Sequence, residues 1–411
     1  MKIAIVSKAD ATGGGASRVA ADLAKVITKR GHKAQHFAFR SAVGFSEELQ
    51  PINGGPFIRT AIGRAYELAE RTGFPDLIPF ELLSTTTALR EFDVVHFHDL
   101  TSAFNPITVA AIAKNKPTAW TIHDCSPFTG GCLYPQMTAC QRYKVGCGDC
   151  SQLNTWPLSP RFDTTAWGWK LKKFLHKSGR VRLITPSQWM RQQAVESGLV
   201  KHEPLVISNM VDVDQFRPSE DRTSLRKRFG LPLDRPVLAF SSGSLDDHRK
   251  GLAEAVEALN LISHLNPFVV VIGRPAADLS KYFKNIDYVA TGYVTNRTVL
   301  SRWLSAADAF LFPSKADNQP LSIMEAMACG TPVYGFPTGG AAEMIVNGLS
   351  GKLTDAPSSA ALARILEEDI VSGGIGRLRE TTREHAVSHF DEHTFAEAHL
   401  SLYYSMAGID R

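Results

Sequence analysis

The chain has 411 residues, 44% apolar and 21% charged, with 45 Lys and Arg against 41 Asp and Glu. That length exceeds one compact core and predicts two domains, while so small a basic excess says little about partners except where charges cluster. The absence of any apolar run of about 18 residues argues against a spanning helix, and six cysteines are too sparse for a disulfide scaffold.

The N-terminus MKIAIVSKAD reads as a first strand rather than an export signal, so the reducing cytoplasm is the expected compartment. Short buried strands are predicted at KIAIVS (2–7), HFAF (36–39), DVVHFH (93–98), TAWTIH (118–123), RLITPS (182–187) and PLVISN (204–209), several followed by helical patterns. The pattern restarts at PVLAFSSG (236–243) and continues through PFVVVIG (267–273), YVATGY (288–293), ADAFLFP (307–313) and TPVYGF (331–336). Such alternation predicts an α/β protein with two Rossmann-like doubly wound parallel sheets. The expected division is a first domain at 1–208, a second at 209–385 and a terminal helical segment at 386–411.

Two turns carry phosphate-binding chemistry. In the first βα turn, KADATGGGASR (8–18), Gly13, Gly14 and Gly15 permit positive φ and close approach of a diphosphate or sugar to the backbone, with Ser17 a candidate helix cap. This is not a GxGxxG fingerprint, and no acidic residue follows the second strand at the distance a nicotinamide dinucleotide needs, which disfavours that chemistry. The second turn lies in FPSKADNQPLSIMEAMACGTPVYGFPTGGAAE (312–343), where Asp317 stands eight positions before Glu325 and the polar segment Asn318, Gln319, Pro320 leads through Leu321 into a helical period. A helix N-terminus attracts anions, and flanking carboxylates accept hydrogen bonds from sugar or ribose hydroxyls. A sugar nucleotide offers both groups. Arg249 and Lys250, between SSGSLDDH and the helical GLAEAVEAL, suit the charge that develops on a leaving diphosphate; a solvated helix start is the alternative.

His123 ends a predicted strand and should emerge at the carboxyl edge of its sheet, where open α/β sheets bind ligands. His96 and His98 fall on one face of DVVHFH by alternation and are expected to be structural. Cys132, Cys140, Cys147 and Cys150 follow C-x7-C-x6-C-x2-C inside a loop with little apolar periodicity (125–150). A structural zinc, free or disulfide-paired thiols, and an iron–sulfur centre all remain open for them, while Cys125 and Cys329 read as packing residues. In TAWGWKLKKFLHKSGRVR (165–182), Trp167, Leu171, Phe174 and Leu175 form an apolar helical face beside Lys170, Lys172, Lys173, Lys177, Arg180 and Arg182. That face either packs on the first domain or docks on an anionic membrane surface.

The motifs GGGASR (13–18), TIHD (121–124), PSQWM (186–190), SNMVDVDQFRP (208–218), RKG (249–251), the 312–343 block and NGLSG (347–351) occur in this order over about 340 residues. The chain thereby resembles retaining glycosyltransferases of family 4, and the run HDCSPFTGGCLYPQMTACQRYKVGCGDC narrows the likeness to exopolysaccharide enzymes of the colanic-acid type. The resemblance implies a GT-B fold whose two lobes face a central cleft, with the terminal helix packing back on the first lobe. It implies transfer of a sugar from a nucleoside diphosphate donor to a saccharide or lipid-linked acceptor in the cytoplasm, up to the inner face of the cell membrane, without a catalytic metal. Glu325 would bind the ribose hydroxyls, Asp317 and residues 318–321 the donor sugar, Arg249 and Lys250 the diphosphate, His123 and the Gly13–Gly15 turn the donor from the first lobe. Ser244 stands where the family more often has an arginine, and Asp317 is one methylene shorter than the usual glutamate. A sugar-nucleotide epimerase of the same fold and a non-catalytic sugar-nucleotide-binding protein are the alternatives; no basic stripe supports a nucleic-acid role.

Overall fold

The computed structural model describes residues 1–72, 78–101, 103–158, 162–274 and 279–409, so the last two positions of the expected terminal segment lie outside the described residues. The chain divides into two units, Met1–Ser208 with His393–Arg411, and Asn209–Glu392.

The first unit is built on β1 (Lys2–Ala9), β2 (Lys33–Arg40), β3 (Leu49–Pro51), β4 (Val94–Phe97), β5 (Thr118–Thr121), β6 (Val181–Thr185) and β7 (Leu205–Val206), all parallel, in the order β3-β2-β1-β4-β5-β6-β7. Residues Ile3 to Val6 of β1 are buried without alternation, because helices cover both faces of such a sheet. Ala4 and Val6 join the core formed with Phe37, Val95, Phe97 and Trp120. The second unit repeats the plan with β8 (Val237–Ser244), β9 (Phe268–Arg274), β10 (Asp287–Gly292), β11 (Ala309–Phe312), β12 (Val333–Gly335) and β13 (Gly351–Leu353), in the order β10-β9-β8-β11-β12-β13. Here alternation sorts β8 between two cores: Val237 and Ala239 face one, Leu238 and Phe240 the other.

β3 and β13 were not anticipated. Each is three residues at a sheet edge, too short for a periodic signal, and Pro51 is tolerated where no further strand must be paired. The predicted strand at 182–187 stops at Thr185 because Ser187 instead caps the helix Gln188–Glu196, accepting the Met190 N–H.

The terminal residues part company. Helix Arg379–His389 belongs to the second unit, where Arg379 donates to the Ala307 carbonyl at 2.8 Å and Arg383 to those of Phe216 and Ala328 at 2.7 Å each. Helix Glu392–Ala407 lies, from His393 onward, with the first unit: Glu397 pairs with Arg30 at 2.9 Å and Tyr403 Oη meets His96 Nδ1 at 2.6 Å. Residues 386–392 therefore belong with the second unit, and only those from His393 onward with the first.

Candidate functional site

Each sheet reverses its strand order at one place, between β1 and β4 in the first unit and between β8 and β11 in the second. Ligands of open α/β sheets bind outside the carboxyl ends of the strands at that switch point.

In the second unit the loops leaving β8 and β11 are stitched together there. Gly251 has φ 77°, and a Cβ on it would lie 2.0 Å from the Pro313 carbonyl oxygen, so only glycine allows the approach. The Arg249 carbonyl accepts the Lys315 N–H at 2.8 Å and the Ser314 hydroxyl at 3.2 Å. Asp247 accepts the Arg249 N–H at 3.0 Å and its guanidinium at 2.8 Å, while the same guanidinium donates to the Ala316 carbonyl at 2.9 Å. Arg249 is thus a brace between the two loops. Lys250 reaches across to pair directly with Asp317. Burial would raise the Asp317 carboxyl, but Lys250 and Arg249 outweigh it and hold the group below the usual carboxylate range. Asp317 is accordingly an ionised acceptor at neutral pH.

Asp317, Asn318 and Gln319 are all buried. The Asn318 N–H is taken by Asp317 Oδ1 at 3.1 Å, and Gln319 fixes Asn209, its Oε1 accepting the backbone N–H at 2.6 Å and its carbonyl the side-chain amide at 3.2 Å. Gln319 thereby holds a main-chain segment, a role its sequence position did not disclose. Pro320 is the N-cap of helix Leu321–Ala328 and no side chain caps it; the Ile323 N–H goes to the Pro320 carbonyl at 3.2 Å. Glu325 is half-buried on this helix.

In the first unit Asp10 orders the turn after β1. It accepts from Thr12 N–H at 2.8 Å, Thr12 Oγ1 at 2.6 Å, Ser41 Oγ at 2.8 Å and Ala42 N–H at 2.6 Å. Burial opposes its charge, but these donors prevail and lower its pKa to about 2. A Cβ on Gly13 would meet that of Ala9 at 2.3 Å, and Gly14, with φ 121°, is the N-cap of helix Gly15–Lys29. Ser17 does not cap that helix: its Oγ is buried with no hydrogen-bond partner, because the glycine bend puts Gly14 at the cap position.

His123 lies two residues beyond β5, its Nε2 3.1 Å from His98 Nδ1. His96 and His98 share a face as alternation requires, their ring centroids 4.3 Å apart, and His399 lies 5.6 Å from His96. Burial lowers His123 to about 3 and His399 to about 4, and holds His96 and His98 well below the ordinary imidazole value, so all four are neutral imidazoles at neutral pH. Carboxylates invisible as a group in the sequence also gather at this edge. Asp99, after β4, pairs with Lys8 at 2.8 Å, and burial, with Asp99 nearby, raises Asp124.

Cys132, Cys140, Cys147 and Cys150 line one cavity, and none is in a disulfide. No three His, Cys, Asp or Glu among the described residues are gathered at metal-ligating spacing. Burial pushes Cys132 up to about 12 and Cys147 to about 11, so neither is a ready nucleophile. Cys125 and Cys329 are buried in the cores of their units. The 165–182 helix departs from its predicted packing. It runs Thr165–His176 and buries Thr165, Gly168, Trp169 and Lys172, whereas Trp167 and Phe174 are 44% and 72% exposed. Trp169 wins the inner face because its indole N–H donates to the Tyr143 carbonyl at 2.8 Å.

Residues 13–215 match the model of Glycosyltransferase Family 4, and residues 235–368 that of Glycosyl transferases group 1. The chain belongs to glycosyltransferase family 4. It is 23% identical over 417 aligned positions to WcaC of Escherichia coli K12, named for colanic acid biosynthesis, covering 96% of this chain and 97% of that one. It is 32% identical over 174 residues to a D-inositol 3-phosphate glycosyltransferase of Xylanimonas cellulosilytica, an alignment covering 39% of this chain and 41% of the relative's length. Among solved structures, sucrose-phosphate synthase of Thermosynechococcus elongatus superposes with TM-score 0.74 at 16% identity over 99% of both chains. Anabaena HepE in complex with UDP and glucose superposes with TM-score 0.71 at 18% identity, over 98% of this chain and all of that one. At such identities the likeness establishes the fold, GT-B, carried here by two Rossmann-like parallel-sheet units. The chain is a glycosyltransferase.

Proposed function

We propose that the protein is a retaining glycosyltransferase that moves a sugar from a nucleoside diphosphate to a saccharide or lipid-linked acceptor in polysaccharide synthesis. The observation that carries this reading is the Lys250–Asp317 pair, set beside an uncapped helix N-terminus by loops that Gly251 and Arg249 lock together. Lys250, backed by Arg249, stabilises charge on the departing diphosphate. Ionised Asp317 accepts hydrogen bonds from donor-sugar hydroxyls, with the backbone of 318–321 alongside, and Glu325 accepts from the ribose. Gly13, Gly14 and Gly15 leave room for an anion at the first unit's helix N-terminus, and neutral His123 is a hydrogen-bonding group for a sugar hydroxyl at that unit's sheet edge. The acceptor attacks the face the diphosphate leaves, and a phosphate oxygen takes its proton. With lysine and arginine as the cations, this scheme requires no catalytic metal. Its place of action is the cytoplasm, at a membrane surface when the acceptor is lipid-linked: Trp167 and Phe174 are exposed beside Lys170, Lys173 and Lys177.

UDP-glucose, bound by HepE, is the first donor to try. Thermal shifts with UDP-, GDP- and ADP-sugars identify the donor, since a ligand that binds the native state raises its melting temperature. Product NMR with that donor and a glycan acceptor then reads the anomer. An inverted anomer overturns the retaining scheme; turnover of donor to an isomer with no acceptor added indicates an epimerase.

A further inference from the structure

We infer that the loop carrying Cys132, Cys140, Cys147 and Cys150 is a structural zinc site of four thiolates. The site has no counterpart in the transfer chemistry and does not rest on it. The four residues arrive from separate turns of one irregular segment, yet all line a cavity of about 20 Å³, room for one ion or water-sized group. Zinc bound by four thiolates needs no more space, with Zn–S bonds of about 2.3 Å.

The surroundings are those of ligating sulfur. The Gly130 N–H donates to Cys147 Sγ at 3.2 Å. Outer partners of this kind orient ligands and spread the charge of bound thiolates. Asp163 fixes the turn from behind, accepting the Cys150 N–H at 2.7 Å and the Thr165 N–H at 2.9 Å. Thr129 Oγ1 does the same for the other end, donating to the Cys132 carbonyl at 2.8 Å and accepting the Gly131 N–H at 3.1 Å. Four thiolates around a divalent ion leave a net double negative charge, and Arg142, which also pairs with Asp149 at 3.2 Å, stands in the cavity lining.

The four sulfurs do not form a closed coordination shell as they stand, since no three candidate ligands lie at metal-ligating spacing among the described residues. Binding closes that gap. Four S–H protons pass to solvent, four Zn–S bonds form, and the sulfurs converge on the cavity while their backbone turns stay where Asp163 and Thr129 hold them. A filled shell has no open position, so the ion orders the loop and takes no part in catalysis.

Elemental analysis of the full chain, purified without added metal, tests this directly. One zinc per chain is expected, with the four loop thiols unreactive to a disulfide reagent until a chelator under denaturing conditions removes the ion. Cobalt loaded into the stripped protein should show the strong visible absorption of a tetrahedral four-sulfur site. Cys150→Ser should lower zinc to well below one per chain; the wild-type measurements decide the matter if that variant fails to fold. Freely titrating thiols with no stoichiometric metal before or after reloading, iron in place of zinc, or disulfides in the mass of the unreduced chain would each overturn the assignment.

Discussion

Lys250 acts within a site already neutralised by Asp317, so its removal does two things at once. It deletes a cation that should face the diphosphate, and it leaves a buried carboxylate without its partner. Lys250→Ala and Glu325→Ala should each lower transfer by about 30- to 1,000-fold, the equivalent of roughly 2–4 kcal/mol of transition-state stabilisation. Steady-state rates on purified, folded variants check this; near-wild-type turnover removes that residue from the site. Gly251 belongs to the same scale. With φ 77° and the Pro313 carbonyl in the way, Gly251→Ala should destabilise the protein by at least about 1–3 kcal/mol and weaken donor binding by displacing Lys250. Urea melts and donor titration measure the two effects, and an unchanged donor affinity would separate the turn from the site.

Among elements, helix Thr165–His176 separates most sharply from its sequence reading. Periodicity identified an apolar face at Trp167, Leu171, Phe174 and Leu175, but the core takes the neighbouring face through Gly168, Trp169 and Lys172. Gly168 lies where the helix passes the Gly130 backbone, a contact that an apolar count cannot register. Of that stripe Trp167 and Phe174 are left exposed with lysines beside them, while Leu171 and Leu175 are half-buried. Co-sedimentation with anionic vesicles at low salt is therefore expected, and little with neutral ones. At about 1 kcal/mol per basic residue, replacing Lys170, Lys173 and Lys177 by Gln should weaken binding roughly a hundredfold, and high salt should do the same. Phe174→Glu should weaken it without altering net transfer to a soluble acceptor. Equal recovery in all supernatants would leave the stripe an ordinary exposed helix face.

Across the whole molecule, the histidines divide unevenly, and acid sensitivity should follow them. His36 and His399 titrate near 4 and His123 near 3 when folded, held down first of all by burial, against about 6.5 unfolded. As pH falls below about 6.5 the unfolded chain binds protons that the folded one does not, so stability declines until the folded values are passed. For His36 alone linkage bounds the loss at about 3 kcal/mol. Asp10, lowered to about 2, adds a separate loss only below about pH 4. All of these lie in the first unit, which also carries five of the six tryptophans, all but Trp303. Tryptophan-monitored melting should therefore weaken steadily from pH 6.5 to 4, and His36→Gln should flatten that limb. A flat profile over this range would mean that the histidines are solvated in the folded state.

Much was legible before folding because its signals are local. Continuous apolar runs bounded by turns announce buried parallel strands, and the glycines of the 13–15 turn and the acids of the 317–325 turn keep the same neighbours in sequence and in space. Short edge strands left no such trace, since three residues at a sheet margin need only a paired backbone. Other features depended on partners far along the chain: Lys250 meeting Asp317, Gln319 holding Asn209, Tyr403 reaching His96, and the Asp99–Asp124 edge. The same holds for burial of Trp169 over Trp167, where one hydrogen bond to a distant carbonyl chose the inner face. The sequence by itself determined the two sheets and the make-up of the loops between their strands, through period and turn composition. Which side chains pair, which are braces and which face water only tertiary structure decided, because those depend on distances between residues that no local pattern encodes.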